Sequence, residues 1–293
     1  MTRWSFLLFL FVAMPALAAE VTLHSEKSLY RNITVTDDDN VRCLKFTLKR
    51  RASQQSCIDT SNPYRLVLPY THLGMGGLLI SPRPERVLVL GLGGGTIPDL
   101  FAELYPGIEI DVVEIDPAVV AVARRYFGFE ESAGTRVFVE DGRVNVRRAL
   151  RRGKKYDYIL LDAFNGDYIP EHMMTQEFLQ DCKALLTKDG VLVANTFSSS
   201  RLYNSESATY ESVFGPFLNL RRSMGNRIVV AGREGIPSTA VLRENISQAP
   251  GQLRNYGVFL EQILAMDQGV DWRRRARILT DQYAPANLLR GRD

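Results

Sequence analysis

Three carboxylates and a glycine turn stand where chemistry can be done. Gly91, Gly93, Gly94 and Gly95 crowd five positions after the apolar run Arg86–Leu90, ahead of a helical stretch from Asp99 to Tyr105. Strand, glycine turn and helix place backbone N–H groups at a helix N-terminus, and the missing Cβ atoms let a ligand approach the main chain. Nineteen residues past Gly95, a second strand ends in Glu114-Ile115-Asp116. An acidic side chain there can accept both hydroxyl hydrogens of a ribose. A third strand leads to Val139-Glu140-Asp141-Gly142. Asp141 either bonds an adenine amino group or caps the helix that follows. A fourth, Tyr158-Ile-Leu-Leu161, ends in Asp162, with Asn165 and Asp167 just beyond. Asp162 either shapes a strand-end turn or meets the acceptor of a transferred group, where a carboxylate takes a proton from an attacking amine or orients it. Ligands of open α/β sheets lie outside the carboxyl ends of the strands, so these groups converge on one edge and nucleoside binding is expected.

The elements that must hold them follow from the apolar pattern. From Arg86 the chain alternates strand and helix: Arg86–Leu90, Asp99–Tyr105, Glu109–Val113, Ala118–Tyr126, Arg136–Glu140, Val144–Arg151, Tyr156–Leu161, Thr175–Leu186 and Val191–Thr196. That rhythm requires a mostly parallel sheet covered on both faces. Leu218–Ser223 and Arg227–Ala231 read as a closing antiparallel pair, with a helix from Ala208 to Phe217 before them and another from Val258 to Met266 after. Upstream, Tyr30–Thr36 and Val41–Leu48 form a hairpin signal, followed by a strand at Gln54–Asp59 and a helix from Tyr64 to Leu79. The expected organisation is a leader over 1–19, a β module and linker helix over 20–80, and a nucleoside-binding domain over 81–293.

Composition narrows the class. The chain has 293 residues and a net charge of only +3, so no global field argues for nucleic acid, and its basic clusters read as solvated surface. Arg3, the apolar run Trp4–Met14 and Pro15-Ala16-Leu17-Ala18-Ala19 make a secretory signal, too short for a comfortable span. Export, to the periplasm of a bacterial host, is expected; a mis-assigned start would leave the protein cytoplasmic. Cys43 and Cys57 lie symmetrically about Arg50, so antiparallel pairing places them opposite one another, as a disulfide or as two buried thiols. Cys182 reads as core, and His24, His72 and His172 as structural. No spacing suggests a metal site.

Val87-Leu-Val-Leu-Gly-Leu-Gly-Gly-Gly95, Val113-Glu-Ile-Asp-Pro117, Glu140-Asp-Gly142 and Tyr156-Asp-Tyr-Ile-Leu-Leu-Asp162 together resemble the spermidine/spermine synthase family, the polyamine aminopropyltransferases. The resemblance runs from Tyr30 to Thr196, and Ile278-Leu-Thr-Asp-Gln-Tyr-Ala-Pro285 looks like the ending of bacterial members. It implies a class I methyltransferase-like, Rossmann-like α/β fold with a small N-terminal β module. It also implies transfer of an aminopropyl group from decarboxylated S-adenosylmethionine to a polyamine, without a metal; a homodimer is compatible with it. Gly91, Gly93, Gly95 and Gly142 would line the donor, Glu114 would hold its ribose and Asp141 its adenine. Asp162 would be the general base. Gln55 and Tyr70 would line the donor or acceptor pocket, and Asn165 and Asp167 would face the amine.

Departures fall in the acceptor half. The family reads Gly-Gly-Gly-Asp-Gly-Gly at the loop, where this chain has Gly94 for the aspartate and Thr96 for the last glycine. The second of two aspartates spaced three apart is Asn165, and a histidine expected after Tyr70 is Thr71, with His72 following. Two alternatives stay open: a methyltransferase using intact S-adenosylmethionine, and a non-catalytic exported protein that binds a nucleoside or polyamine. A dehydrogenase fits the glycine pattern poorly.

Overall fold

A computed structural model describes residues 20–48, 51–163, 169–222 and 225–284. The leader, Asn165, Asp167 and Pro285 lie outside the described residues.

The N-terminal module is a four-stranded antiparallel sheet in the order β1 (Val21–Lys27), β2 (Asn32–Asp38), β3 (Val41–Leu48) and β4 (Arg51–Asp59). Strand β1 was not legible in the sequence. It is an edge strand with largely exposed side chains, so it carries little apolar alternation. Cys43 pairs directly with Cys57 and the two form a disulfide, with Cα atoms 4.2 Å apart. Closing a loop of this size contributes about 3 kcal/mol. One pair further along, Leu44 faces Ser56 but Lys45 faces Gln54, which makes Gln55 the extra residue of a β-bulge.

The linker helix is shorter than its apolar run suggests. Helix α1 spans Pro69–Gly74 and tightens into a 3-10 turn over Met75–Leu79. Leu68 is extended, as the residue before a proline prefers, and Pro69 starts the helix, so residues 64–68 cannot join it.

The main sheet has seven strands. In chain order the described elements are β5 (Arg86–Leu90), α2 (Thr96–Leu104), β6 (Glu109–Glu114), α3 (Pro117–Tyr126), β7 (Thr135–Val139), α4 (Gly142–Arg151), β8 (Tyr156–Leu161), α5 (Gln176–Leu185), β9 (Leu186–Phe197), α6 (Tyr203–Phe214), β10 (Leu218–Leu220), β11 (Asn226–Gly232), α7 (Thr239–Gln248) and α8 (Leu260–Leu264). The sheet order is β10-β11-β9-β8-β5-β6-β7, with β9 to β7 parallel and β11 and β10 closing one edge antiparallel. Strand order reverses between β5 and β8, which makes that gap the switch point where ligands of such sheets bind. Helix α7 was not expected: of its residues only Leu242 is buried.

Both faces of the sheet are dry. Val87 and Val89 enter one apolar cluster, with Phe101, Ile110 and Tyr158, while Leu88 and Leu90 enter another, with Phe178, Leu179 and Cys182. A third cluster joins the β module to α3: Ile33, Val35, Leu44 and Phe46 pack on Val119, Val122 and Phe127. Polar ties reinforce that seam. Asp116 caps α3 by accepting from the Ala118 N–H at 3.0 Å, and it also accepts from the Ser28 hydroxyl at 2.5 Å, with Arg31 at 3.7 Å. The β module is therefore fixed over the carboxyl ends of the parallel strands.

Candidate active site

Gly91 ends β5 with φ +106°, and its N–H bonds the Val113 carbonyl at 2.8 Å. Across the switch point the Asp162 N–H bonds the Leu90 carbonyl at 2.8 Å. A Cβ at Gly91 would stand 2.3 Å from the Asp162 carbonyl oxygen, so only glycine allows the two strand ends to meet here. The carboxylate of Asp162 and the start of the glycine turn thus share one spot.

A cavity of about 190 Å³ opens there, lined by Gly91, Gly93, Glu114, Asp141, Gly142, Asp162 and, from the β module, Arg31, Phe46 and Gln55. Glu114 is buried at 6% exposure. Its two oxygens accept separately from the Leu92 N–H at 3.1 Å and the Asp116 N–H at 3.0 Å. A carboxylate oxygen accepts twice, so each keeps a lone pair for one hydroxyl of a vicinal diol. Burial pushes its pKa up, while the Arg31 charge and these N–H donors pull it back. Asp141 caps α4, accepting from the Val144 N–H at 3.0 Å, and its other oxygen meets His172 Nε2 at 2.9 Å. The histidine bond holds its carboxyl below the usual range. Capping and cavity lining are therefore both true of Asp141. At Gly142 a Cβ would come within 3.0 Å of Met173 Cε, so a bare backbone lets that wall close in.

Beside this cavity lies a second, of about 470 Å³, sharing Gln55 and lined by Lys45, Ser53, Gln54, Tyr70, Asn195 and Asn226 among others. The Tyr70 hydroxyl donates to the Gln55 carbonyl at 3.0 Å and also faces Asp162. Asn195 Nδ2 donates to Asp162 Oδ1 at 2.8 Å, and Asn226 Nδ2 donates to Asn195 Oδ1 at 2.9 Å. Desolvation pushes the Asp162 carboxyl up to about 7, against the Asn195 and Tyr70 hydrogen bonds that favour its charge. A carboxyl poised there takes a proton at neutral pH without holding it too tightly.

Residues 71–215 match the family model described as a spermine/spermidine synthase domain. A polyamine aminopropyltransferase from Vibrio vulnificus is 47% identical over 273 residues, covering 92% of this chain and 91% of that protein. The chain belongs to the spermine/spermidine synthase family. As a member it is a transferase. Among solved structures, spermidine synthase from Thermotoga maritima superposes with a TM-score of 0.61 at 18% identity, over 85% of this chain and 84% of that one. Human methyltransferase-like protein 13, in complex with SAH, gives 0.54 at 28% identity over 75% and 97%.

Against this family frame, the structure brings Gly91, Gly93, Glu114, Asp141, Gly142, Gln55 and Asp162 to one cavity, and Tyr70 to its neighbour. Gly95 does not join them. It starts α2 with φ +88°, and a Cβ there would meet the Phe129 ring at 2.5 Å, so its role is the turn. Gly94 is also turned away: its Cβ would meet Ser56 Oγ at 2.8 Å and Phe127 Cδ1 at 2.9 Å, and it lines neither cavity. An aspartate at that position would start towards Ser56, not towards an amine.

Sequence reasoning missed Arg31, Asn195, Asn226 and His172. His172 was expected to be structural and stands instead in the cavity wall. Its segment is tied to the chain's C-terminal stretch. Arg143 donates to the His172 carbonyl at 3.1 Å and to both Asp281 oxygens at 2.7 and 2.5 Å, and Asp281 also accepts from Thr175 Oγ1 at 2.7 Å. The Gln176 N–H bonds the Leu279 carbonyl at 2.8 Å. Ile278–Pro285 was visible as a motif, but nothing local told which wall it would brace. Among the described residues no group of three or more His, Cys, Asp or Glu is placed to hold a metal.

Proposed function

We propose that this protein transfers an aminopropyl group from decarboxylated S-adenosylmethionine to an amine, through an acceptor site altered from the family pattern. The observation that carries the reading is Asp162. Its carboxylate stands where the nucleoside cavity meets a second, polar cavity, and it is tuned near neutrality. Glu114 would hold the ribose hydroxyls, and the bare main chain at Gly91 and Gly93 fits a bulky adenosyl donor. Asp162 would attract the acceptor ammonium and take one proton. The freed lone pair then forms a C–N bond to the carbon beside sulfur as the C–S bond breaks, its electrons staying on sulfur, and methylthioadenosine leaves.

The second cavity supports an altered acceptor. Its described polar lining is amide and hydroxyl, from Ser53, Gln54, Gln55, Tyr70, Asn195 and Asn226, with the cation Lys45 paired to Glu20. A small diamine with two ammonium ends gains little from amides, so weak activity on putrescine is proposed. The kinship to an SAH-bound methyltransferase keeps methyl transfer as the second reading. One assay separates them: supply each donor with a panel of mono-, di- and polyamines and follow methylthioadenosine and S-adenosylhomocysteine. Methylthioadenosine only with the decarboxylated donor supports the proposal. S-adenosylhomocysteine replaces it with methyl transfer, and neither product replaces it with a binding role.

Export is part of the same proposal. The apolar leader motivates it, and the Cys43–Cys57 disulfide is the kind of bond an oxidising compartment sustains. Intact mass of protein from its native host should show a new N-terminus near Ala19 or Glu20; a retained Met1 on soluble cytoplasmic protein would refute it.

A further inference from the structure

We propose that Asn195, held in orientation by Asn226, is the positioning residue that commits a hydrogen-bond donor to Asp162 and so keeps that base ionised and aimed at the acceptor. This rests on reading Asp162 as the base. Strand register creates the pair: Leu161 of β8 is level with Ala194 of β9, so the next residues, Asp162 and Asn195, emerge side by side. Asn195 is 3% exposed and cannot exchange its bond for one to bulk water.

The donor count around Asp162 gives the amide its weight. Tyr70 of α1 has one hydroxyl proton, divided between the Gln55 carbonyl at 3.0 Å and Asp162. The other charged group facing the carboxylate, Glu114 of β6, raises its proton affinity. The Arg31 charge acts on Glu114, and Lys45 of β3 is paired to Glu20. Asn195 Nδ2, at 2.8 Å from Oδ1, is therefore the committed donor. An amide can flip and offer its oxygen instead, which would repel a carboxylate. Asn226 prevents this: its Nδ2 donates to Asn195 Oδ1 at 2.9 Å, which leaves only the N–H₂ end for Asp162. Asn226 begins β11, opposite Phe197 of β9, so the antiparallel closing edge of the sheet reaches the base through two amides.

The test reads the carboxyl directly. The full chain is labelled with ¹³C at aspartate carboxyls, Asp162 is assigned through Asp162→Asn, and its titration is followed by NMR. Loss of a hydrogen bond to a charged group should raise the midpoint by about one to two pH units in Asn195→Ala, and by less in Asn226→Ala. Methylthioadenosine affinity should stay within about twofold in both, because neither residue lines the nucleoside cavity; this also reports folding. Should Asn195→Ala not fold, Asn226→Ala decides alone. An unmoved midpoint in the folded variants overturns the proposal. Where an amine turns over, the acid limb of kcat should move with the midpoint. A lowered kcat with an unmoved limb would leave Asn195 a merely structural role. No turnover with any donor and amine would overturn the aminopropyl reading, while the titration still decides the role of Asn195.

Discussion

Around the nucleoside cavity, ligand-facing groups are held by the main chain. Glu114 is clamped by two backbone N–H groups, Asp141 is the cap of a helix, and Gly91 is pinned between two strands. Around the neighbouring cavity, side chains hold side chains: Asn226 holds Asn195, and Asn195 holds Asp162. Backbone geometry survives substitution of neighbours, so the first half is recognisable from its motif and rigid in function. A side-chain relay can be rebuilt one residue at a time, so under the proposed aminopropyl reading the second half is the one open to a changed acceptor. The β module touches both, through Gln55 on its bulge.

Separate loss of the two halves is the strongest way to break this comparison. Asp162→Asn keeps the shape but cannot take a proton, so turnover should fall by about 10²–10⁴ with methylthioadenosine affinity nearly unchanged. In the unaltered enzyme turnover should fall as pH drops through about 7, where Asp162 becomes protonated. The stability effect has the opposite sense. A folded-state value of about 7 against 3.8 unfolded means that the folded chain holds the extra proton between them, so stability declines as pH rises through that window. Asp162→Asn should remove that decline, raising Tm at pH 8; equal Tm across pH 4 to 8 in the unaltered protein would contradict it.

Glu114→Gln should do the reverse to function. It replaces one acceptor oxygen by a donor, and charge-assisted bonds to two hydroxyls should weaken enough to cost about tenfold to a hundredfold in nucleoside affinity by calorimetry. If Asp162→Asn abolished binding and Glu114→Gln did not, the two halves have been assigned the wrong way round.

A smaller effect sharpens the comparison from a distance. Asp281→Ala frees Arg143 and Thr175 and loosens the segment carrying His172. Methylthioadenosine should bind about threefold to tenfold more weakly, with the acid limb of kcat unmoved. A shifted limb would show that the C-terminal segment acts on the acceptor half instead.

The smallest functional change is expected from rebuilding the family's lost acids. The motif alone suggests that Gly94→Asp with Asn165→Asp should raise putrescine turnover. The Gly94 Cβ direction, into Ser56 and Phe127, argues that this aspartate costs about 1–3 kcal/mol of packing strain and adds no amine contact. A lower Tm without a gain in putrescine rate is expected, and a clear gain would show that the loop can turn its side chain to the acceptor.

Local chemistry made part of this protein legible. Glycines after an apolar run, an acid at the next strand end and Asp162 after the fourth strand are consequences of backbone sterics and strand polarity, which a sequence states directly. Hairpin symmetry brought Cys43 and Cys57 to within one position of each other, but the bulge at Gln55 decides that they face directly, because counting from the turn alone sets Cys43 opposite Ser56. Tertiary structure decided the rest. Asn195 reaches Asp162 only because β9 lies beside β8, and Asn226 reaches Asn195 only because β11 folds back antiparallel on β9. Arg31 and His172 enter the cavity across gaps of 83 and 58 residues to Glu114, so no window of sequence contains the contact. Gly94 is the plainest case: its letter marks a missing acid, but the direction of its Cβ, fixed by Ser56 and Phe127 packing on the loop, determines what an acid there can touch.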